Sequence, residues 1–225
     1  MRFKNKNFAF TLAEVLITLG IIGVVAVLTL PVVKSKIENY VLRNQFLKFY
    51  ASFSSTIKNM EYENGGIFKC YYYPGGEYSE CNDFWNKFFE HYKVIKICNY
   101  NTDKSCAPVY KSKSQIIADG GAWLNPSCSD MAHFNYSAHV LADGTIVYIS
   151  GYVHSRYQFV VDINGHKGPN KWGYDVFTLN LSPQQNANYV KITDMICTRY
   201  EKGGRRLKNV LLNNYNINRN PFLYE

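Results

Sequence analysis

FTLAEVLITLGIIGVVAVLTLPVVKSKIENYVLRNQFLKFYASFSSTIKNMEYENGG, residues 10–66, is the stretch on which the fold turns. Within it, Val15 to Val33 is 19 residues without a charge. At a rise of about 1.5 Å per residue, a helix of that length covers roughly 28 Å, close to the hydrocarbon thickness of a bilayer. A cleavable secretory signal carries only about 7–15 apolar residues and then a small-x-small cut site. Leu30-Pro31-Val32-Val33-Lys34 offers no such site, so the run is expected to stay in the mature chain. Beyond it, Ile37, Tyr40, Val41, Phe46, Phe49 or Tyr50, Phe53, Ile57 and Met60 recur at steps of three or four. Lys34, Lys36, Glu38, Arg43 and Lys48 fall largely on other faces, the pattern of an amphipathic helix. Residues 10 to about 62 therefore read as one helix of roughly 80 Å, bent at Pro31 and stopped by Gly65-Gly66.

The rest of the chain is read outward from that helix. It has 225 residues, 47% apolar, 16% aromatic and 19% charged, which is a globular composition rather than a disordered one. Lys and Arg number 25 against 17 Asp and Glu, a net +8. Arg2, Lys4 and Lys6 lie in an acid-free leader, outside which the excess falls to five. Cations ahead of an apolar run stay cytoplasmic, so everything after about residue 34 is expected across the membrane. The cysteines agree with that. Cys70, Cys81, Cys98, Cys106, Cys128 and Cys197 all follow residue 69, and none stands in a CxxC or Cys/His zinc spacing. Up to three disulfides formed in an oxidising compartment are expected. Their pairing stays open in the sequence; neighbours in order would join Cys70 with Cys81, Cys98 with Cys106 and Cys128 with Cys197.

Glu14 does not fit an ordinary anchor. A carboxylate at the centre of a membrane helix costs on the order of 3 kcal/mol, so it is paired, protonated or placed at the interface. Its neighbours, Ala9-Phe10-Thr11-Leu12-Ala13-Glu14, resemble the recognition site of type IV prepilins and type II secretion pseudopilins. In that family a basic leader ends in a small residue, then come Phe, a Thr-Leu-x-Glu pattern and an unbroken apolar stretch. Ala9 stands where the family usually has Gly. The resemblance implies that a prepilin peptidase cuts between Ala9 and Phe10 and methylates the new amino group of Phe10. Glu14 would then be the fifth residue of the mature chain and Pro31 the twenty-second, a position where pilins often carry a kinking proline. It also implies that Glu14 of an incoming subunit meets the Phe10 amine of its neighbour and sets the register of assembly. A carboxylate beside a cation keeps its charge at far lower cost than one alone.

Downstream, Asp83 to Lys96 reads as a helix with Phe84, Phe88 and Tyr92 along one side, in a Cys- and Tyr-rich region of little periodicity (67–130). Strand patterns follow: 138–141 and 145–149 around an Asp143-Gly144 turn, then 157–163 and 174–181. About four antiparallel strands are expected. Val161 to Phe177, VDINGHKGPNKWGYDVF, also resembles a segment of many pilin-like heads, D-x-N-G-x-x-G-P-N-x-x-G-x-D-x-F. Its plain reading is a glycine-rich turn in which Asp162 and Asn164 bond nearby amides. A sharper one is calcium held by Asp162, Asn164, Asp175 and loop carbonyls, although no acid stands at the twelfth position of an EF-hand loop. His91, His133, His139, His154 and His166 fall in no metal-ligand spacing, and no P-loop, GxSxG or dinucleotide fingerprint occurs. The tail from Thr198 has six Lys/Arg against two Glu, with Arg205, Arg206 and Lys208 near Tyr200 and Tyr215. That composition suits a solvated tail, and also DNA held through phosphates and stacking.

The expectation is an α+β, pilin-like fold: a long N-terminal helix packed against an antiparallel, disulfide-stapled head. Residues 1–9 are the leader, 10–33 the membrane and filament-core helix, 34–64 its amphipathic continuation and 65–225 the extracytoplasmic head. The resemblance implies a structural subunit of a type IV pilus or secretion pseudopilus, with other pilins, the peptidase, the inner-membrane assembly platform and the membrane as partners. Two other classes are a minor pilin that binds a ligand such as DNA, and a membrane-anchored enzyme.

Overall fold

A computed structural model describes residues 11–68, 78–99, 103, 105–106, 108–125, 128, 137–149, 158–183, 190–194 and 197–212. The chain divides into two compact units, Met1–Val41 and Leu42–Glu225. Helix α1 runs from Leu12 to Glu63 with Pro31 inside it. In the first unit its apolar side chains are exposed, Ile22 at 63% and Leu28 at 69% among them. Lys34 and Glu38 form an exposed i,i+4 ion pair at 3.7 Å.

In the second unit α1 buries Leu42, Phe46, Phe49, Phe53, Thr56, Ile57 and Met60, a stripe with the three- and four-residue steps of one helix face. Ile37, Tyr40 and Val41 were expected on that stripe, but they lie before it in the first unit and are exposed. The helix stops by a paired-bond cap. The Gly66 N–H donates to the Glu61 carbonyl at 2.8 Å and the Gly65 N–H to Tyr62 at 3.1 Å. Gly65 sits at φ +71°, where a side chain would be strained, which is why the double glycine ends the helix.

Helix α2 (Tyr78–Glu90) is followed by strand β1 (Val94–Asn99), helix α3 (Lys113–Ala118) and the short strand β2 (Ala122–Trp123). Then come β3 (Ser137–Leu141), β4 (Ile146–Ile149), β5 (Gln158–Asp162), β6 (Val176–Pro183), β7 (Val190–Thr193), β8 (Arg199–Tyr200) and helix α4 (Leu207–Leu212). The main sheet has six strands in the order β1-β3-β4-β5-β6-β7, every neighbour antiparallel. Strands β2 and β8 form a separate two-stranded ribbon. The architecture is α+β and pilin-like, with the four expected strands as the centre of the sheet.

Two expectations need correction. The helix expected over 83–96 ends at Glu90, and 94–96 belong to β1, which pairs with β3. Val94-Ile95-Lys96-Ile97 is β-branched at three of four positions, and pairing outweighs the weak helical pattern there. The sheet also has two more strands than expected, because β1 and β7 lie at its edges and β1 carries two exposed apolar residues, Ile95 and Ile97, where buried ones would have marked a strand.

Both faces of the main sheet are covered. On one, Leu141, Val147, Phe159, Val161, Phe177, Leu179 and Leu181 meet the buried stripe of α1 and Phe84 and Phe88 of α2. Ring centroids lie 4.2 Å apart for Phe46 and Phe177 and 5.0 Å apart for Phe53 and Phe159. On the other, Ala138, Ile146, Tyr148, Val160 and Val176 pack with Tyr110, Ile116, Trp123, Trp172 and the cysteines Cys98 and Cys106. The alternation of Ile146 and Tyr148 against Val147 shows the two-residue period of a strand. Disulfides Cys98–Cys106 and Cys128–Cys197 fasten this second layer. Cys70 and the Cys81 side chain lie outside the described residues.

Candidate functional site

Three places gather the residues singled out in the sequence. The first is the start of α1. Thr11 is its N-cap: the Glu14 N–H donates to the Thr11 hydroxyl oxygen at 3.2 Å, and Thr11 donates back to Glu14 Oε2 through both its N–H and its hydroxyl, each at 2.8 Å. This reciprocal box satisfies two donors at the helix start. A carboxylate at the third helical position also faces the positive end of the helix dipole. Downstream, the helix holds a segment long and apolar enough to cross a membrane. Its two threonines do not interrupt the greasy surface, because Thr18 and Thr29 donate their hydroxyls to carbonyls of the preceding turn. Ala9 and Phe10 lie outside the described residues.

The second place is the turn between β5 and β6. Asp162 and Asp175 are both fully buried. Asp162 Oδ1 accepts from the N–H groups of Asn164 at 3.2 Å and Gly165 at 2.7 Å, while Oδ2 accepts from the Tyr110 hydroxyl at 2.8 Å. Tyr110 in turn lies 2.9 Å from the Tyr148 hydroxyl. Asp175 accepts from the Asn170 and Lys171 amides, both at 2.7 Å. Each carboxylate thus organises one end of the loop, and the Asn164 amide ties its middle by donating to the Gly168 carbonyl at 2.6 Å. Burial, and then the charge of Asp175, raise the Asp162 carboxyl to about 7 despite its three donors. Burial also raises Asp175. Of the expected calcium ligands, Asp162 and Asp175 turn all four of their oxygens toward N–H or O–H donors. Among the described residues no group of three or more His, Cys, Asp or Glu is placed to hold a metal.

The third is the basic C-terminal segment, which runs beside the same turn. The Glu201 N–H donates to the Trp172 carbonyl at 2.9 Å and the Arg205 N–H to Gly173 at 2.8 Å. Gly173 has φ +80°, and a Cβ there would lie 2.7 Å from the Arg205 nitrogen, so only glycine lets the two backbones meet. Arg199 of β8 lies between two indoles, 4.2 Å from the Trp123 ring and 3.9 Å from Trp172. Buried guanidinium held this way is worth on the order of 2 kcal/mol. Lys111 bridges Asp119 at 2.6 Å and the buried Glu201 at 2.9 Å.

Of the trio Arg205, Arg206 and Lys208 expected together, Arg206 and Lys208 both set their charges near Asp194. Arg206 Nε faces Asp194 Oδ2 at 3.6 Å, and Asp194 Oδ1 also accepts the Leu207 N–H at the start of α4. Lys111, Glu201 and Arg199 escaped the sequence reading because their partners are far away in the chain. The one local signal available was Ser112-x-x-Gln115, the capping box that starts α3.

Residues 4–30 match the model of the prokaryotic N-terminal methylation motif, the hallmark of prepilin-type signals in type IV pilins and pseudopilins. The match covers the leader from Lys4 to Ala9, then Phe10, Glu14 and most of the exposed apolar part of α1. Comparison of the chain with curated proteins and with solved structures yields no match.

Proposed function

We propose that the chain is a structural subunit of a type IV pilus or type II secretion pseudopilus. It is made as a precursor, cut between Ala9 and Phe10 by a prepilin peptidase and methylated on Phe10. Residues 10–33 hold it in the bacterial inner membrane with the C-terminus outside, 34–64 continue the helix, and 65–225 form the exposed head. An assembly platform then moves subunits from the membrane into a periplasmic or extracellular filament, where the same apolar surface packs against other subunits. The chain acts by assembly and not by catalysis.

One observation carries this reading: the methylation motif leads directly into a helix whose large apolar side chains from Leu12 to Val33, Leu16, Ile17, Leu19, Ile21 and Ile22 among them, are exposed. Such a surface needs lipid or other helices around it. Glu14 stands at the head of that surface, where a new cationic α-amino group on Phe10 would lie close in sequence. The pair supplies the one strong polar contact available in an apolar setting.

The test is Glu14→Gln expressed in the native cell beside the wild type. The variant keeps the side chain's volume and its bond to Thr11 but loses the charge. Normal cutting after Ala9 with loss of the protein from sheared filaments is expected. Filaments of normal yield built from the variant would contradict the docking role.

A further inference from the structure

Asn-Gly occurs twice in the chain, at Asn64-Gly65 and at Asn164-Gly165. In this dipeptide the glycine nitrogen can close on the carbonyl carbon of the asparagine side chain, because glycine has no Cβ to block the approach. The structure treats the two pairs differently. Asn164 is buried in the β5–β6 turn, its Nδ2 donates to the Gly168 carbonyl at 2.6 Å, and the Gly165 N–H donates to Asp162 Oδ1 at 2.7 Å. Leaving group and nucleophile are both held. Asn64 is exposed just past the end of α1. Its Nδ2 reaches the Gly66 carbonyl at 3.4 Å, the long limit of a hydrogen bond, and the Gly65 N–H donates to Tyr62 at 3.1 Å in the last turn. A Cβ placed at Gly65 or Gly66 would meet nothing within 4 Å, so the space around this pair is open. Helix ends of this kind fray, which frees the Gly65 nitrogen.

We propose that Asn64 is a site of spontaneous deamidation, which turns the end of α1 into a carboxylate and loosens its cap. The Gly65 nitrogen gives its proton to hydroxide and bonds to Asn64 Cγ, the side-chain nitrogen leaves as ammonia, and a cyclic succinimide remains. Water then opens the ring at either carbonyl. The products are an aspartate at position 64 or an isoaspartyl link, in which the backbone runs through the former side chain. Water is the only co-reactant. The new charge falls at the negative end of the helix dipole, beside Glu61 and Glu63 in a last turn that holds no basic residue. The isoaspartyl link also adds a backbone carbon ahead of Gly65 and Gly66, whose N–H groups cap the helix at Tyr62 and Glu61. Ammonia is lost to solvent, so the product accumulates with the age of the molecule. The site lies in the second unit and does not depend on how the N-terminus is processed, so its failure and that of the filament reading are separable.

The test is incubation of the full chain in non-ionic detergent at pH 8 and 37 °C, with trypsin digestion and mass spectrometry of samples taken over several weeks. Peptide 59–69 is expected to gain one mass unit and to show isoaspartyl fragment ions. It should do so at least ~30-fold faster than peptide 157–167, where Asn164 and Gly165 must first give up their two hydrogen bonds. In chain that is reduced and unfolded in urea, the two peptides are expected to convert at similar rates. A folded chain in which Asn64 converts no faster than Asn164, or stays intact while the unfolded chain reacts, would overturn the proposal. The loosening is read separately, by amide hydrogen exchange at residues 63–66 in N64D, which carries the product's charge, against N64Q, which keeps a neutral amide. Exchange about two- to fivefold faster in N64D is expected. Equal exchange in the two variants would refute the loosening by charge.

Discussion

Replacing Asp162 by Asn is expected to remove a specific part of the pH dependence of stability. The Asn keeps a carbonyl oxygen for the Asn164 and Gly165 amides, while its NH2 faces the Tyr110 oxygen, which can turn its own hydrogen toward Tyr148. In the wild type the folded carboxyl is raised from 3.8 to about 7, chiefly by burial. The folded state therefore holds a proton that the unfolded state releases, so this contribution is complete at low pH and is lost as pH rises toward 7 and beyond. Between pH 5 and pH 8 the loss comes to about 2.5 kcal/mol, or about 5–10 °C in Tm for a chain of this size. His139 works the other way: burial lowers it to about 4, so its contribution grows as pH rises from 4 to 6.5. It is present in both proteins and cancels when their profiles are subtracted. The assay is thermal melting of both full chains in the same detergent, at pH 5, 6, 7 and 8, followed by near-ultraviolet circular dichroism. The wild type should lose about 5–10 °C relative to D162N across that range. Profiles parallel within about 1 °C would refute the reasoning and mean that the amides keep Asp162 ionised throughout.

Two further predictions concern the core and the staples. Phe53, fully buried against Phe49, Phe88 and Phe159, should cost about 3–5 kcal/mol when cut to Ala, read by urea melting of the full chain. A cost under about 1 kcal/mol would mean that α1 is not seated on the sheet as described. Replacing Cys128 and Cys197 by Ser opens a bridge with a sequence separation of 69, against 8 for Cys98 and Cys106. Loop entropy alone then predicts losses of about 4.5 and 2.5 kcal/mol respectively, so the longer bridge should lower Tm more; the reverse order would contradict the loop argument.

The long helix was legible because its signals are local. An uncharged run, three- and four-residue steps and a double glycine each act within a few residues, and α1 stops at Glu63 as Gly65-Gly66 implied. The hairpin β3–β4 was legible for the same reason, through Asp143-Gly144 and its β-branched flanks. The edge strands were not, since β1 has Ile95 and Ile97 exposed at 61% and 62% and reads like the end of a helix. Asp162 and Asp175 were visible as turn residues, but nothing local shows that Tyr110 reaches Asp162 across 52 positions. The basic tail was visible as charge only. That Arg206 is paired was decided by Asp194, and where the segment runs by a backbone meeting at Gly173, both remote in sequence.

Prepilin processing leaves its mark at the N-terminus. Mass spectrometry of the N-terminal peptide, from protein isolated out of its native membrane or from sheared filaments, reads it without any assay of function. A peptide that begins at Phe10 and is heavier by one methyl group is the predicted result. A chain that still begins at Met1, or that has been cut after the apolar run, would contradict prepilin processing and remove the role given to Glu14.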